Sequence, residues 1–269
     1  MPAPDTRRLA RTERPQSRDS ARRLDTAAMK VVLFGATGMV GSGVLLECLD
    51  SSRVASVVAI GRNLTGQAHP KLREIVQSNL FELGTISSEL SDADACFFCL
   101  GVSSAGMNEA EYTRLTHDLT LAAANALLAV SPRLTFIYVS GAGTDSSARG
   151  RTMWARVKGK TENELLAMPF KAAYMFRPGY IQPMRGVRSK TRLYQALYDA
   201  GGWLYPVLRA LIPQRVTTTV NVGRAMIEVA ANGYPKTILG VADINAAAMM
   251  GGTRESDSAF IPAANGASP

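Results

Sequence analysis

The stretch Lys30-Val31-Val32-Leu33-Phe34-Gly35-Ala36-Thr37-Gly38-Met39-Val40-Gly41 decides how the rest of the chain is read. After Lys30 come four apolar residues, two of them β-branched, the pattern of a short strand buried on both faces. Three glycines then recur every third residue, and residues 40–49 continue with helical spacing. Each glycine has its own task in a strand-to-helix turn. Gly35 lets the chain turn sharply off the strand, Gly38 lets a pyrophosphate approach the backbone, and Gly41 lets the helix pack closely on the sheet. Phosphates would rest on free N–H groups at a helix N-terminus, where the helix dipole favours anions. A purely structural tight turn would use the same glycines, but a triplet placed after a strand and before an apolar helix has the context that dinucleotide binding requires.

Working outward, strand and helix patterns alternate. Strands are predicted over residues 54–60, 74–77, 95–100, 134–140 and 172–177, with a short one over 237–239. Helices are predicted over residues 110–130, 152–168, 192–212 and 220–231. Continuous apolar strands alternating with helices imply right-handed crossovers and a parallel sheet. The expected fold class is α/β, a Rossmann-type doubly wound parallel sheet with a small helical C-terminal part over residues 29–244.

The 269 residues carry 46% hydrophobic and 19% charged side chains, an ordinary globular composition. Two histidines give no His-rich metal site, three cysteines give no disulfide framework, and no apolar run reaches membrane-spanning length. The formal charge is +8, and residues 1–28 hold seven arginines against four acids, so +5 belongs to the remainder. That surplus favours anionic ligands without pointing to nucleic acid. Residues 1–28 and 245–269 read as disordered tails, with Met29 as the natural start or the first tail as a solvated extension. Asp5, Glu13, Asp19 and Asp25 argue against a transit peptide, so the expected location is cytoplasmic, with peripheral membrane contact as an alternative.

The end of the second strand bears on which nucleotide is bound. An NAD site usually places an acid there for the ribose 2′-hydroxyl, whereas this chain has Gly61-Arg62-Asn63. A guanidinium forks onto phosphate, so Arg62 is expected to meet a 2′-phosphate, making NADP the cofactor, with NAD as the alternative.

The glycine turn, Cys99-Leu100-Gly101, Ser140, Lys158 and Arg177-Pro178-Gly179 together resemble an atypical short-chain dehydrogenase/reductase. Within that superfamily the chain is similar to the Tat-interacting-protein-like, or NAD-dependent epimerase/dehydratase-like, branch. The resemblance covers roughly residues 29–244. It implies that Gly35, Thr37, Gly38, Met39 and Val40 line the pyrophosphate, and that Asn79 and Leu80 lie near the adenine. It further implies that Leu100 and Gly101 pass under the nicotinamide-side ribose, that Lys158 bonds that ribose, and that Pro178 and Gly179 border the nicotinamide.

The family's Tyr-x-x-x-Lys pair shares one helix face, the lysine lowering the phenol pKa for proton exchange with substrate. Here the segment reads Trp154-Ala155-Arg156-Val157-Lys158. An indole N–H only donates and does not ionise, so the acid/base is missing from its slot. Ser140, Lys158 and Tyr180 are the candidate catalytic residues. The protein is then a reductase whose proton comes from Tyr180, Ser140 or water, a nucleotide-binding regulatory protein without turnover, or the catalyst of a different reaction.

Other motifs carry less. Cys96 and Cys99, three apart on a strand, point to opposite faces and read as structural thiols. Residues 102–108 form a polar loop in which Ser103 and Ser104 face a substrate or Asn108 merely caps the next helix. His117 reads as structural, and Ser140-Gly141-Ala142-Gly143 lacks the order of a hydrolase triad. Residues 192–212 are aromatic and flanked by cations, suited to a wall for an apolar small-molecule substrate, a dimer face or a membrane surface. Oligomeric state is not legible.

Overall fold

The computed structural model describes residues 28–187 and 213–258, without the side chains of residues 213 and 252–258. Strands β1 (Met29–Phe34), β2 (Val54–Gly61), β3 (Leu72–Val76), β4 (Ala95–Phe98), β5 (Thr135–Val139) and β6 (Ala172–Phe176) are the predicted apolar runs, shifted by no more than two residues at most ends. With β9 (Ile238–Leu239) they form one seven-stranded sheet in the order β3-β2-β1-β4-β5-β6-β9, all neighbours parallel. The order reverses between β1 and β4, so their carboxyl ends flank the crevice where doubly wound sheets bind ligands.

Two apolar layers cover the sheet. On one face α1 (Met39–Asp50), α6 (Thr219–Asn232) and α7 (Val241–Ser258) close over Val31, Leu33, Phe97 and Phe176. On the other, α2 (Ser87–Leu90), α4 (Leu119–Val130) and α5 (Met153–Ala167) close over Val32, Phe34, Phe98 and Phe136. Cys96 belongs to the second layer and Cys99 packs on the first, so the two thiols diverge as the strand period requires. Burial raises the Cys96 thiol and pushes Cys99 up to about 12, which keeps both protonated.

The long helix predicted over residues 110–130 is three joined pieces: α3 (Glu109–Thr113), a π-turn (Arg114–Asp118) and α4. Asn108 caps α3, accepting from the Glu111 amide at 2.9 Å, while Glu111 accepts from the Asn108 amide. In the π-turn buried His117 meets Asp118 at 2.7 Å and Glu164 at 3.0 Å, a structural bridge to α5.

One expectation changes and one feature is new. The expected tail from residue 245 is in fact helical as far as Ser258, and Ile244, Ala247 and Ala248 are buried in the core. An alanine-rich run both favours helix and buries cheaply, which its tail-like composition concealed. A second, two-stranded parallel sheet pairs β7 (Tyr180–Gln182) with β8 (Val216–Thr218), too short to show a sequence pattern. The helix predicted over residues 192–212 lies outside the described residues, as does the tail over residues 1–27.

Helices α1 and α6 pack through glycines. A Cβ on Gly43 would lie 2.5 Å from the Thr219 Cβ, and one on Gly223 would lie 2.8 Å from the Glu47 side chain. Gly43→Ala is therefore expected to lose about 1–3 kcal/mol by overpacking. Gly84→Ala, where nothing lies within 4 Å, should stay within roughly 0.5 kcal/mol of the parent. Urea denaturation of both variants checks the contrast.

Candidate functional site

Gly35 leaves β1 with φ +83°, and a Cβ there would lie 2.8 Å from the Cys99 backbone. A Cβ on Gly41 would lie only 2.1 Å from the Gly35 carbonyl oxygen. The turn thus closes against β4 on one side and α1 on the other, as the spacing of the triplet predicts. Gly38 is the N-cap of α1, its amide donating to the Gly35 carbonyl at 2.9 Å. No side chain caps this helix, so its first-turn N–H groups remain available at the crevice.

Those groups border a cavity of about 300 Å³ lined by Gly35, Ala36, Thr37, Gly38 and Met39, by the β2 end through Arg62 and Asn63, and by Leu80, Leu100 and Gly101. A second cavity of about 240 Å³ continues from it between Ser78, Asn79, Leu80, Phe81, Leu115 and Leu119. Arg62, Leu80, Leu100 and Gly101 line both. Arg62 is exposed and makes no hydrogen bond or ion pair among the described residues. The glycine turn, Arg62, Asn79, Leu80, Leu100 and Gly101 are therefore gathered in one crevice. An elongated ligand with an anionic middle and a flat apolar end matches this shape: uncapped amides for the anion, Leu80, Leu100 and Leu119 for the ring.

Sequence reading missed two neighbours. Glu74 on β3 and Thr65 also line the first cavity, with the Thr65 amide donating to Glu74 Oε1 at 2.7 Å. Only register places Glu74 there, since Ala59 of β2 pairs with it across the sheet.

The expected catalytic set sits at the adjoining strand ends. Loop and strand run side by side: the Ser140 amide donates to the Phe176 carbonyl at 2.9 Å and the Ala142 amide to the Pro178 carbonyl at 2.8 Å. Ser140 is buried, and its hydroxyl donates to the Glu162 carboxylate, with the Phe176 carbonyl 3.1 Å away. To exchange a proton with a substrate, Ser140 would have to leave those partners. Glu162 is fully buried and is held by the Arg177 guanidinium, which also donates to Ser146 Oγ at 2.6 Å. Glu162 follows Lys158 by one helical turn, and that spacing is the only sequence signal of its role.

Lys158 Nζ donates to the Ser140 carbonyl and lies 5.9 Å from the centre of the Tyr138 ring. Desolvation pulls its ammonium down to about 8, opposed by the nearby Glu162 charge. Trp154, one turn earlier, packs against Gly143, where a Cβ would lie 3.3 Å from the indole.

A third cavity of about 730 Å³ opens on the far side of that loop. Its described walls are Ala142, Gly143, Arg177, Gly179, Tyr180, Gln214, Arg215, Val216, Gly240 and Val241. Gly179 and Tyr180 are brought together here, the Tyr180 hydroxyl donating to Gln182 Oε1 at 2.8 Å. Among the described residues no group of three or more His, Cys, Asp or Glu could hold a metal ion. Nor is any described helix long and apolar enough to cross a membrane.

A scan against protein-family models finds no match. The described fold resembles several solved structures. One is the Bordetella bronchiseptica enzyme WbmF, solved with NAD+ and UDP, at TM-score 0.56 and 15% identity over 84% of this chain and 78% of that one. Another is a short-chain dehydrogenase family protein from Francisella tularensis, at TM-score 0.54 and 14% identity over 77% and 93%. At such identities the likeness establishes the Rossmann-type doubly wound fold alone.

Among curated sequences, the mitochondrial protein fmp52-2 of Aspergillus terreus is 28% identical over 167 residues, 61% of this chain and 72% of that protein. The mitochondrial protein fmp52-1 of the same fungus is 33% identical over 180 residues, 64% of this chain and 74% of that protein. These mitochondrial relatives overturn the expected cytoplasmic location, which rested on four acids in a tail whose composition is a weak guide to compartment. With that identity across three quarters of a curated relative, the chain belongs to the fmp52 family.

Proposed function

We propose that the protein is an NADP(H)-dependent oxidoreductase of the atypical short-chain dehydrogenase/reductase type, acting on a small apolar carbonyl compound. The observation that carries this reading is the uncapped glycine turn at the sheet's switch point, opening on a cavity that also holds the unpaired Arg62. The nicotinamide, when bound, supplies the hydride-transferring ring. The chain's own residues do the rest. The first-turn amides of α1 take the pyrophosphate, Asn79, Leu80 and Leu119 hold the adenine, and Leu100 and Gly101 pass under the nicotinamide-side ribose. Arg62 meets the 2′-phosphate, while Glu74 already accepts from the Thr65 amide. Lys158 offers an N–H to the nicotinamide-side ribose, Pro178 and Gly179 border the ring, and Tyr180 is the proton donor within reach of the third cavity. The Tat-interacting-protein-like branch is our assignment within the superfamily, on Lys158 and the surrounding motif.

A second reading has specific support. Trp154 fills the usual phenol position and the Ser140 hydroxyl is engaged by Glu162, so the proton-transfer half of the site is altered. In that reading the protein binds the nucleotide without turnover and signals its redox state.

NADPH consumption measured with a panel of ketones, aldehydes and quinones separates the two. The first reading expects turnover lost in Tyr180→Phe, whereas tight binding with no consumption across the panel establishes the second.

Arg62→Ala is expected to weaken NADPH binding by about tenfold or more and leave NADH binding within about twofold. Equal losses for both cofactors would remove Arg62 from the 2′-phosphate.

The Lys158 ammonium is protonated below about pH 8 and neutral above it. Cofactor affinity is therefore expected to fall as pH rises through about 8, and the inflection should vanish in Lys158→Met. Calorimetric titration across that range checks it.

A further inference from the structure

The third cavity has an unusual balance of walls. Val216, Val241, Ala142 and the ring of Tyr180 make it largely apolar, and among the described residues no acid lines it. Two arginines, Arg177 and Arg215, do, and their side chains differ. Arg177 is neutralised, since buried Glu162 holds its Nε and Nη2. Arg215 is exposed, with no hydrogen bond or ion pair from its side chain among the described residues.

Arg215 is also held on a firm base. The next residue, Val216, pairs with Tyr180 across the two-stranded sheet, and its carbonyl accepts from Asn245 Nδ2 of α7 at 3.0 Å. Thr217 Oγ1 donates to Asn245 Oδ1 at 2.7 Å, so β8 is clamped to α7 from two sides. On the other flank the Arg215 carbonyl lies 2.7 Å from where a Cβ on Gly179 would stand, which fixes the two backbones against each other. An uncompensated guanidinium beside apolar walls is a point of attraction for a single anion. The same walls suit a polyhydroxylated sugar poorly, because its hydroxyls would find few donors and acceptors.

We propose that this cavity selects an apolar carbonyl compound bearing one acidic group, and that Arg215 is the residue that reads that group. The inference rests on the oxidoreductase reading for the carbonyl, and on Arg215 and its surroundings alone for the acid. The acid could be a carboxylate or a phosphate ester; both offer oxygens to the guanidinium fork.

The test uses the full chain and three probes: 4-benzoylbutyrate, its methyl ester, and phenethyl phosphate. Binding is followed by calorimetry with and without saturating NADP+. The acid is expected to bind about tenfold or more tightly than the ester, with the preference shrinking to about twofold in Arg215→Gln and partly restored in Arg215→Lys. Raising the salt to about 0.5 M should narrow the gap in the parent protein but not in the variant. Phenethyl phosphate binding more tightly than the carboxylate would identify a phosphate ester as the natural acid. Equal binding of acid and ester, no binding of either at millimolar concentration, or a preference unchanged in Arg215→Gln would overturn the proposal. Because the Arg215 side chain is exposed, Arg215→Gln should melt close to the parent, which separates a lost contact from a lost fold. Absence of NADP(H) binding with the acid preference intact would instead sink the oxidoreductase reading and leave this one standing.

Discussion

Everything in this molecule depends on one close approach. The first turn of α1 comes so near the Gly35 carbonyl that position 41 has no room for even a methyl group. That contact sets the direction in which α1 leaves β1, and hence where its free amides point. It also seats Gly35 against the backbone of Cys99, which joins the turn to the end of β4. The crevice is therefore a consequence of backbone packing at the switch point, built before any ligand-specific side chain is considered. Arg62, Asn79 and Leu100 add chemistry to a space that the glycines have already opened.

Around that centre the two halves of the site differ in character. The crevice half offers uncapped backbone amides and the exposed Arg62 to a ligand. The chemical half is inward-looking: Ser140, Glu162 and Arg177 satisfy one another, and Lys158 gives its N–H to the Ser140 carbonyl. A buried carboxylate needs such partners, because leaving it unpaired would cost several kcal/mol. Glu162 thus organises two strand-end residues, Ser140 and Arg177, from the middle of α5. Placing Trp154 against Gly143 fits the same division, since the indole fills space there without offering a titratable proton.

How much of this was legible in the sequence follows from range. The strands β1, β2, β4 and β5 announced themselves as continuous apolar runs, and the glycine triplet announced the turn. The crevice residues Gly35, Arg62, Asn79, Leu80, Leu100 and Gly101 could be picked out for the same reason, since each lies within four positions of a strand's carboxyl end. What was hidden is what long-range pairing creates. Glu74 reaches the crevice only through strand register, and the Ser140–Glu162 bond joins residues on separate elements. Strands β7 and β8 are three residues each, too short for any periodicity. The helical continuation past Ile244 was masked by alanine and methionine in a stretch that ends in a polar, glycine-bearing tail.

The two-stranded ladder of β7 and β8 has an implication for how such a protein diversifies. It brings Tyr180–Gln182 beside Val216–Thr218, so the chain between them begins and ends at neighbouring points on a braced frame. Closing a longer or shorter excursion between fixed ends costs little extra, about 0.6 kcal/mol for each doubling of length. Changes of length between those two strands therefore leave the braced frame, and with it the glycine turn at the switch point, undisturbed.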